Sequence, residues 1–283
     1  MSQNDRVDLF REGPIGIFDS GIGGLTVTAQ IHQALPKERL IYFADSAHLP
    51  YGQRSLDVVR GFSFAITRAL LEAGCKMIVI ACNTASAAAL RALREAFPEV
   101  PFVGMEPAVK PAAESSRSRV VGVIATPATF QSEVYASVVE RFAADVTVLH
   151  QPCPGLVGQI EAGELDTLRT EEMLRAWIEP MLEKGIDSLV LGCTHYPLVR
   201  PLIERIVGGN VRVIDPAPAI ARQVERLLDR DGLRFRSEKD GTLICYTSGP
   251  LQPFEQMLER LRLVEATGIR HASWLPDGTI SLP

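Results

Sequence analysis

Short apolar runs and amphipathic stretches alternate along almost the whole chain. Met77-Ile-Val-Ile-Ala81 is unbroken apolar sequence that stops at Cys82, Asn83 and Thr84, and an Ala-rich stretch follows to Ala96. A run of that length, bounded by polar residues and then by a helical pattern, predicts a strand buried on both faces followed by a helix. Ser188-Leu-Val-Leu-Gly192 repeats the design and stops at Cys193, Thr194 and His195. Similar runs predict strands over 14–18, 40–44, 102–104, 119–125, 146–150, 211–214 and 242–247. Helices are expected over 25–35, 55–73, 84–96, 128–142, 171–184, 198–207, 217–228 and 250–261, with Ile220, Val224 and Leu227 sharing one face. A shorter helical piece carries Glu161. The polar stretch 1–13 reads as a frayed tail.

Strand–helix alternation predicts an α/β fold of doubly wound, mainly parallel sheets covered on both faces. The chain also looks duplicated. Ile15-Gly-Ile-Phe-Asp19-Ser20 resembles Val121-Gly-Val-Ile-Ala125-Thr126, and each is followed at a similar distance by a strand ending in cysteine. Two similar domains related by an approximate two-fold are expected, their strand C-termini facing one cleft, where open α/β sheets and domain pairs bind ligands.

Composition narrows the function. A chain of 283 residues has room for two ordinary domains, and 46% hydrophobic with 22% charged residues suits a globular protein. The net charge of −5 argues against a general nucleic-acid binder. No apolar run is long enough to span a membrane, and the first residues lack an apolar signal core, so a cytoplasmic location is expected. The five cysteines, at 75, 82, 153, 193 and 245, are odd in number and lack CxxC spacing. Neither a disulfide framework nor a structural zinc site is indicated.

Cys82 and Cys193 stand in matching contexts where a strand gives way to polar residues; Cys75, Cys153 and Cys245 do not and read as core residues. Two opposed thiols can shuttle a proton, since a thiol titrates near ~8.5 and one can be thiolate while the other stays protonated. One would take a proton from one face of a carbon and the other return it from the opposite face, which is stereoinversion. Asp19 could relay a proton for Cys82, and His195 for Cys193. Glu161 is a further carboxylate that could reach the second site. Ser20, Asn83, Thr84, Ser86, Thr126 and Thr194 follow strand ends, where hydroxyls, amides and helix N-termini cradle carboxylates.

These stretches resemble the glutamate racemases of the cofactor-independent Asp/Glu racemase superfamily. The matching segments are Gly16 to Val27, Tyr42 to Asp45, Leu49-Pro50-Tyr51-Gly52, Ala81 to Ser86 and Gly192 to Leu198, with weaker matches at Ala125 to Thr129, Glu161-Ala-Gly163 and Ile214 to Ala217. The resemblance implies interconversion of L- and D-glutamate, D-glutamate being supplied for peptidoglycan, with no cofactor and no metal. It implies Cys82 as the base for the D-enantiomer and Cys193 for the L-enantiomer, with Asp19, Glu161 and His195 as auxiliaries. Asp19, Ser20, Pro50, Tyr51, Gly52, Asn83, Thr84, Thr126, Thr194 and His195 would contact substrate. Residues 1–107 and 217–283 would form the first domain and 108–216 the second. A homodimer that binds a small-molecule substrate, and neither nucleic acid nor membrane, is implied as well.

Three other readings stand beside this one. The same fold could serve aspartate or a hydantoin. Gly21-Ile-Gly23-Gly24 with Asp45 beyond it suggests a dinucleotide-dependent oxidoreductase, although the third glycine of GxGxxG is missing. A non-enzymatic binding protein on this fold is the third, and retention of both cysteines argues against it.

Overall fold

The computed structural model describes residues 12–236 and 238–283; the expected tail lies almost wholly outside the described residues. Its strands are β1 (Ile15–Asp19), β2 (Leu40–Ala44), β3 (Met77–Ile80), β4 (Phe102–Gly104), β5 (Val120–Ala125), β6 (Thr147–Pro152), β7 (Ser188–Gly192), β8 (Arg212–Ile214), β9 (Leu243–Thr247), β10 (Gly268–His271), β11 (Ser273–Trp274) and β12 (Ile280–Ser281). The first sheet runs β10-β9-β2-β1-β3-β4 and the second β6-β5-β7-β8. Every pairing in both is parallel. The order β2-β1-β3-β4 is repeated as β6-β5-β7-β8, so the duplicated sequence is a duplicated topology. Two α/β domains result.

Continuous apolar runs make these strands because both faces of each sheet are covered. On β3, Met77 and Val79 enter one core while Ile78 and Ile80 enter another on the opposite face. The first of these cores continues without a break into Ile124, Leu189 and Leu191 beneath the second sheet. Within each sheet the central pair is in register at its C-terminal end. Phe18 lies opposite Ile80, and Ala125 opposite Gly192. Thr126 and Cys193 therefore emerge side by side, while Asp19 and Ala81 follow the other pair and Cys82 comes one residue later.

After β8 the chain returns to the first sheet. Helix Ala217–Arg230 buries Ile220, Val224 and Leu227 and packs on helix Leu25–Ala34, and β9 and β10 extend the sheet beyond β2. A buried ion pair anchors this return: Lys76 Nζ lies 2.6 Å from Glu38 Oε2, and Glu38 Oε1 accepts the Phe235 N–H at 2.7 Å.

Some elements differ from expectation. The helix expected over 128–142 is two, Pro127–Phe130 and Glu133–Phe142, because Ser132 starts the second by accepting the Tyr135 N–H. The helix carrying Trp177 begins earlier, at Leu168, capped by Thr167. Helix Val109–Ser115, strand β10 and the antiparallel hairpin β11–β12 were not foreseen. Among the described residues no helix is long and apolar enough to cross a membrane.

Candidate active site

The C-terminal strand ends of both sheets border one cavity of about 110 Å³. Ser20, Cys82, Asn83 and Thr84 line it from the first sheet, and Thr126, Cys193, Thr194 and His195 from the second. Pro50, Tyr51 and Gly52, from the loop after β2, complete the wall. A single water needs roughly 10–15 Å³ of such space, so a molecule of roughly ten non-hydrogen atoms fits and a dinucleotide does not. Among the described lining residues there is no lysine or arginine. A carboxylate bound here is held by hydroxyls, amides and backbone N–H groups.

On the first side, Cys82 starts helix Asn83–Ala96 and its Sγ accepts the Ala85 N–H at 3.5 Å. Burial, the Asp19 carboxylate and the neighbouring Cys193 push the Cys82 thiol well above its ordinary value, so it rests protonated. Asp19 is wholly buried. Its Oδ1 accepts from Ser20 Oγ and from the Gly21 N–H, both at 3.0 Å, and its Oδ2 accepts from Thr194 Oγ1 at 2.7 Å. Burial raises the Asp19 pKa, opposed by His195 and by these hydrogen bonds.

On the second side, Cys193 Sγ lies 3.9 Å from His195 Nδ1, and His195 Nε2 donates to Glu161 Oε1 at 2.6 Å. Burial alone would lower the His195 pKa, but Cys193 and Glu161 outweigh it and hold the ring well above 6.5. Glu161 ends helix Leu156–Glu161 and also accepts the Ile22 N–H, across the domain boundary, at 2.8 Å. Cys193 is thus backed by the His195–Glu161 pair, and Cys82 by the buried carboxyl group of Asp19.

The polar wall bridges the domains as well: Thr84 Oγ1 and Thr126 Oγ1 are 3.1 Å apart, and Thr126 reaches Thr129 at 3.0 Å. Asn83 stands out. Both polar atoms of its side chain are buried without a protein partner among the described residues, and the residue lines the cavity. Such a pair normally costs about 1–3 kcal/mol for each atom left unsatisfied, so it suits a ligand with both donors and acceptors.

The sequence of residues 15–224 matches the family described as Asp/Glu/Hydantoin racemase. The chain belongs to this family. A glutamate racemase of Ectopseudomonas mendocina is 49% identical over 250 residues, 88% of this chain and 95% of that one. One from Roseiflexus is 48% identical over 251 residues, 88% and 92% of the two chains. Among solved structures, an isoform of glutamate racemase from Bacillus anthracis superposes with a TM-score of 0.83 at 33% identity, covering 90% of this chain and 96% of that one. The Francisella tularensis glutamate racemase in complex with D-glutamate gives 0.82 at 32% identity, covering 93% and 98%.

In this family member most of the residues singled out from sequence line one cavity, while two stand behind its wall. Asp19 is covered by Ser20 and Thr194, and Glu161 by His195. Ser86 turns away from the site, donating to Ile80 O and accepting the Met105 N–H. Cys153, expected in the core, is buried and also lines the cavity, together with Gln53, Pro154, Gly155 and Val157. The loop 153–155 follows β6, so the rule that ligands sit beyond strand C-termini points to it too.

The glycines read as a possible phosphate-binding turn have another cause. A Cβ on Gly21 would sit 1.9 Å from Glu161 Oε1, and one on Gly23 would sit 2.4 Å from His195 Nδ1. Gly21 and Gly23 lie against the groups behind Cys193, and Gly24 against Asp19 and Tyr42.

Proposed function

We propose that this protein is a glutamate racemase that works by two-base proton transfer between Cys82 and Cys193, without a cofactor, and supplies D-glutamate for peptidoglycan. The observation that carries the reading is that both thiols, from equivalent strand ends of duplicated sheets, face one cavity of amino-acid size. In the L-to-D direction, Cys193 as thiolate removes the Cα proton, breaking C–H and forming S–H. Cys82, held protonated, gives its proton to the opposite face of the carbanion and is left as thiolate. The D-to-L direction reverses these roles.

The difficulty is acidity, because every ten pKa units between a carbon acid and its base is about 14 kcal/mol. Preorganised donors and exclusion of water lower that barrier. Asn83 and Thr84 with the adjacent helix N-terminus, and Thr126 and Thr194 opposite, are placed to hold the two carboxylates and the ammonium group. Asp19 and the His195–Glu161 pair are the groups behind the thiols through which protons are exchanged. The domain division expected from sequence, 1–107 with 217–283 against 108–216, belongs to the same reading. A cytoplasmic homodimer also belongs to it, on the strength of the family resemblance.

The test is optical rotation of L- and D-glutamate with metal-free, cofactor-free protein, using aspartate and hydantoins as comparison substrates. Cys82→Ala and Cys193→Ala abolish racemisation, whereas Cys75→Ala does not. Retained turnover in either of the first two, or a clear preference for aspartate or a hydantoin, overturns the reading.

A further inference from the structure

Asp45 follows β2 and is wholly buried beside the site, yet it does not line the cavity. Its backbone N–H donates to Asp19 O at 2.9 Å. Its carboxylate accepts from Tyr51 Oη at 2.6 Å, from His48 Nδ1 at 3.0 Å, from Ser248 Oγ at 2.7 Å and from Trp274 Nε1 at 2.8 Å. The first two donors belong to the loop that carries Pro50, Tyr51 and Gly52 into the cavity wall. The last two come from the far end of the chain, beyond the span matched by the family.

Trp274 does more than donate. Its ring meets His48 edge-on, with centroids 4.7 Å apart, and His48 in turn stacks on Phe62 at 4.0 Å. The hairpin that carries Trp274 is seated by Ile280, which is buried in the core under helix Leu56–Glu72. Hydrogen bonds to a buried carboxylate are strong and fix direction, and a fully satisfied buried network stiffens the segments it joins. Tyr51 therefore has its hydroxyl anchored at a point set by residues about two hundred positions away.

We infer that Trp274 is a positioning residue for the glutamate-binding loop, holding Tyr51 and Gly52 against the cavity through Asp45, with Ser248 as a second anchor. The inference rests on the racemase reading above. Trp274 touches neither thiol nor cavity, so its loss loosens the wall without removing an acid or a base, and the effect falls on substrate binding. Because the two enantiomers are equal in free energy, kcat/KM is the same in both directions and shifts equally in both.

The experiment measures kcat and KM for each glutamate enantiomer, with Tm, in wild-type protein, Trp274→Phe, Ser248→Ala and Val213→Ala. Trp274→Phe keeps an aromatic ring and removes the N–H donor. It is expected to raise KM for both enantiomers about tenfold with kcat within twofold, and Ser248→Ala to raise KM in the same way by a smaller factor. Val213→Ala, a core truncation on the outer strand of the second sheet, lowers Tm and leaves KM within twofold. Unchanged KM in both Trp274→Phe and Ser248→Ala overturns the inference, as does an equal rise of KM in Val213→Ala. If Trp274→Phe fails to fold, KM in Ser248→Ala decides. A wild-type protein that does not racemise glutamate overturns the functional reading and this inference together; a racemising wild type with unchanged KM in the variants overturns this inference alone.

Discussion

Thr194 donates a 2.7 Å hydrogen bond to Asp19, so the residue that follows Cys193 in one domain is tied to the carboxylate beside Cys82 in the other. The two thiol sites are therefore not independent. Thr26 adds a second tie, its hydroxyl placed 3.2 Å from Thr194 O, and the Ile22 N–H adds a third through Glu161. The hydrogen bonds that join the two sheets' ends also hold the acid–base groups in place.

The Asp19 carboxylate is held in place at a cost to stability. Burial raises its pKa above 3.8, so the folded chain holds that proton more tightly than the unfolded chain does. Its contribution to stability is greatest below the ordinary carboxylate value and falls as pH rises through the raised one. Asp19→Asn is expected to raise Tm at pH 7 by a few degrees, about 2–4 °C for each kcal/mol in a chain this long. The gain should shrink as pH approaches ~4. Racemisation should fall at least tenfold. Thermal melts across this pH range, with activity measured in parallel, check both.

His195 has the opposite consequence. Cys193 and Glu161 outweigh burial and hold its pKa well above 6.5, so the stabilisation is fully present below about 6.5 and is lost as pH rises through the folded value. His195→Asn should therefore be less stable than wild type by about 1.5–3 kcal/mol at pH 6, the range for a hydrogen bond to a charged group. That deficit should narrow at alkaline pH. Denaturant titrations at several pH values give the result directly.

Gly21 and Gly23 leave no room for side chains over Glu161 and His195. Gly23→Ala should displace the imidazole from Cys193 and cost about 1–3 kcal/mol of stability, the range for overpacking a filled site. Activity should fall at least a hundredfold. Gly61→Ala is the control, since nothing lies within 4 Å of its added methyl group. Tm and racemisation rates for the two variants separate the effects.

Much of the fold was legible because parallel strands buried on both faces are continuous apolar runs, as in Met77–Ile80 and Ser188–Gly192. Their polar ends marked Cys82 and Cys193, and the repeated hydrophobic–glycine–hydrophobic pattern foretold two similar α/β units, whose shared sheet order the structure supplies. The edge elements were hidden. Strand β10 is half-exposed and carries Arg270 and His271, so it lacks an apolar run, and two-residue strands such as β11 and β12 have no period to detect. Cys153 sits behind a proline at the end of an exposed edge strand, which disguised its place in the cavity. Trp274 reaches Asp45 across 229 positions, a contact that only the assembled sheet creates.

The most direct measurement is the early time course in D₂O with each glutamate enantiomer, separating the enantiomers and determining deuterium at Cα in both pools. Two thiols acting from opposite faces place solvent deuterium in the product enantiomer while recovered substrate remains protiated, whichever enantiomer is supplied. Deuterium appearing equally early in recovered substrate and product would mean that one group serves both faces, and would contradict the assignment of Cys82 and Cys193 as separate bases.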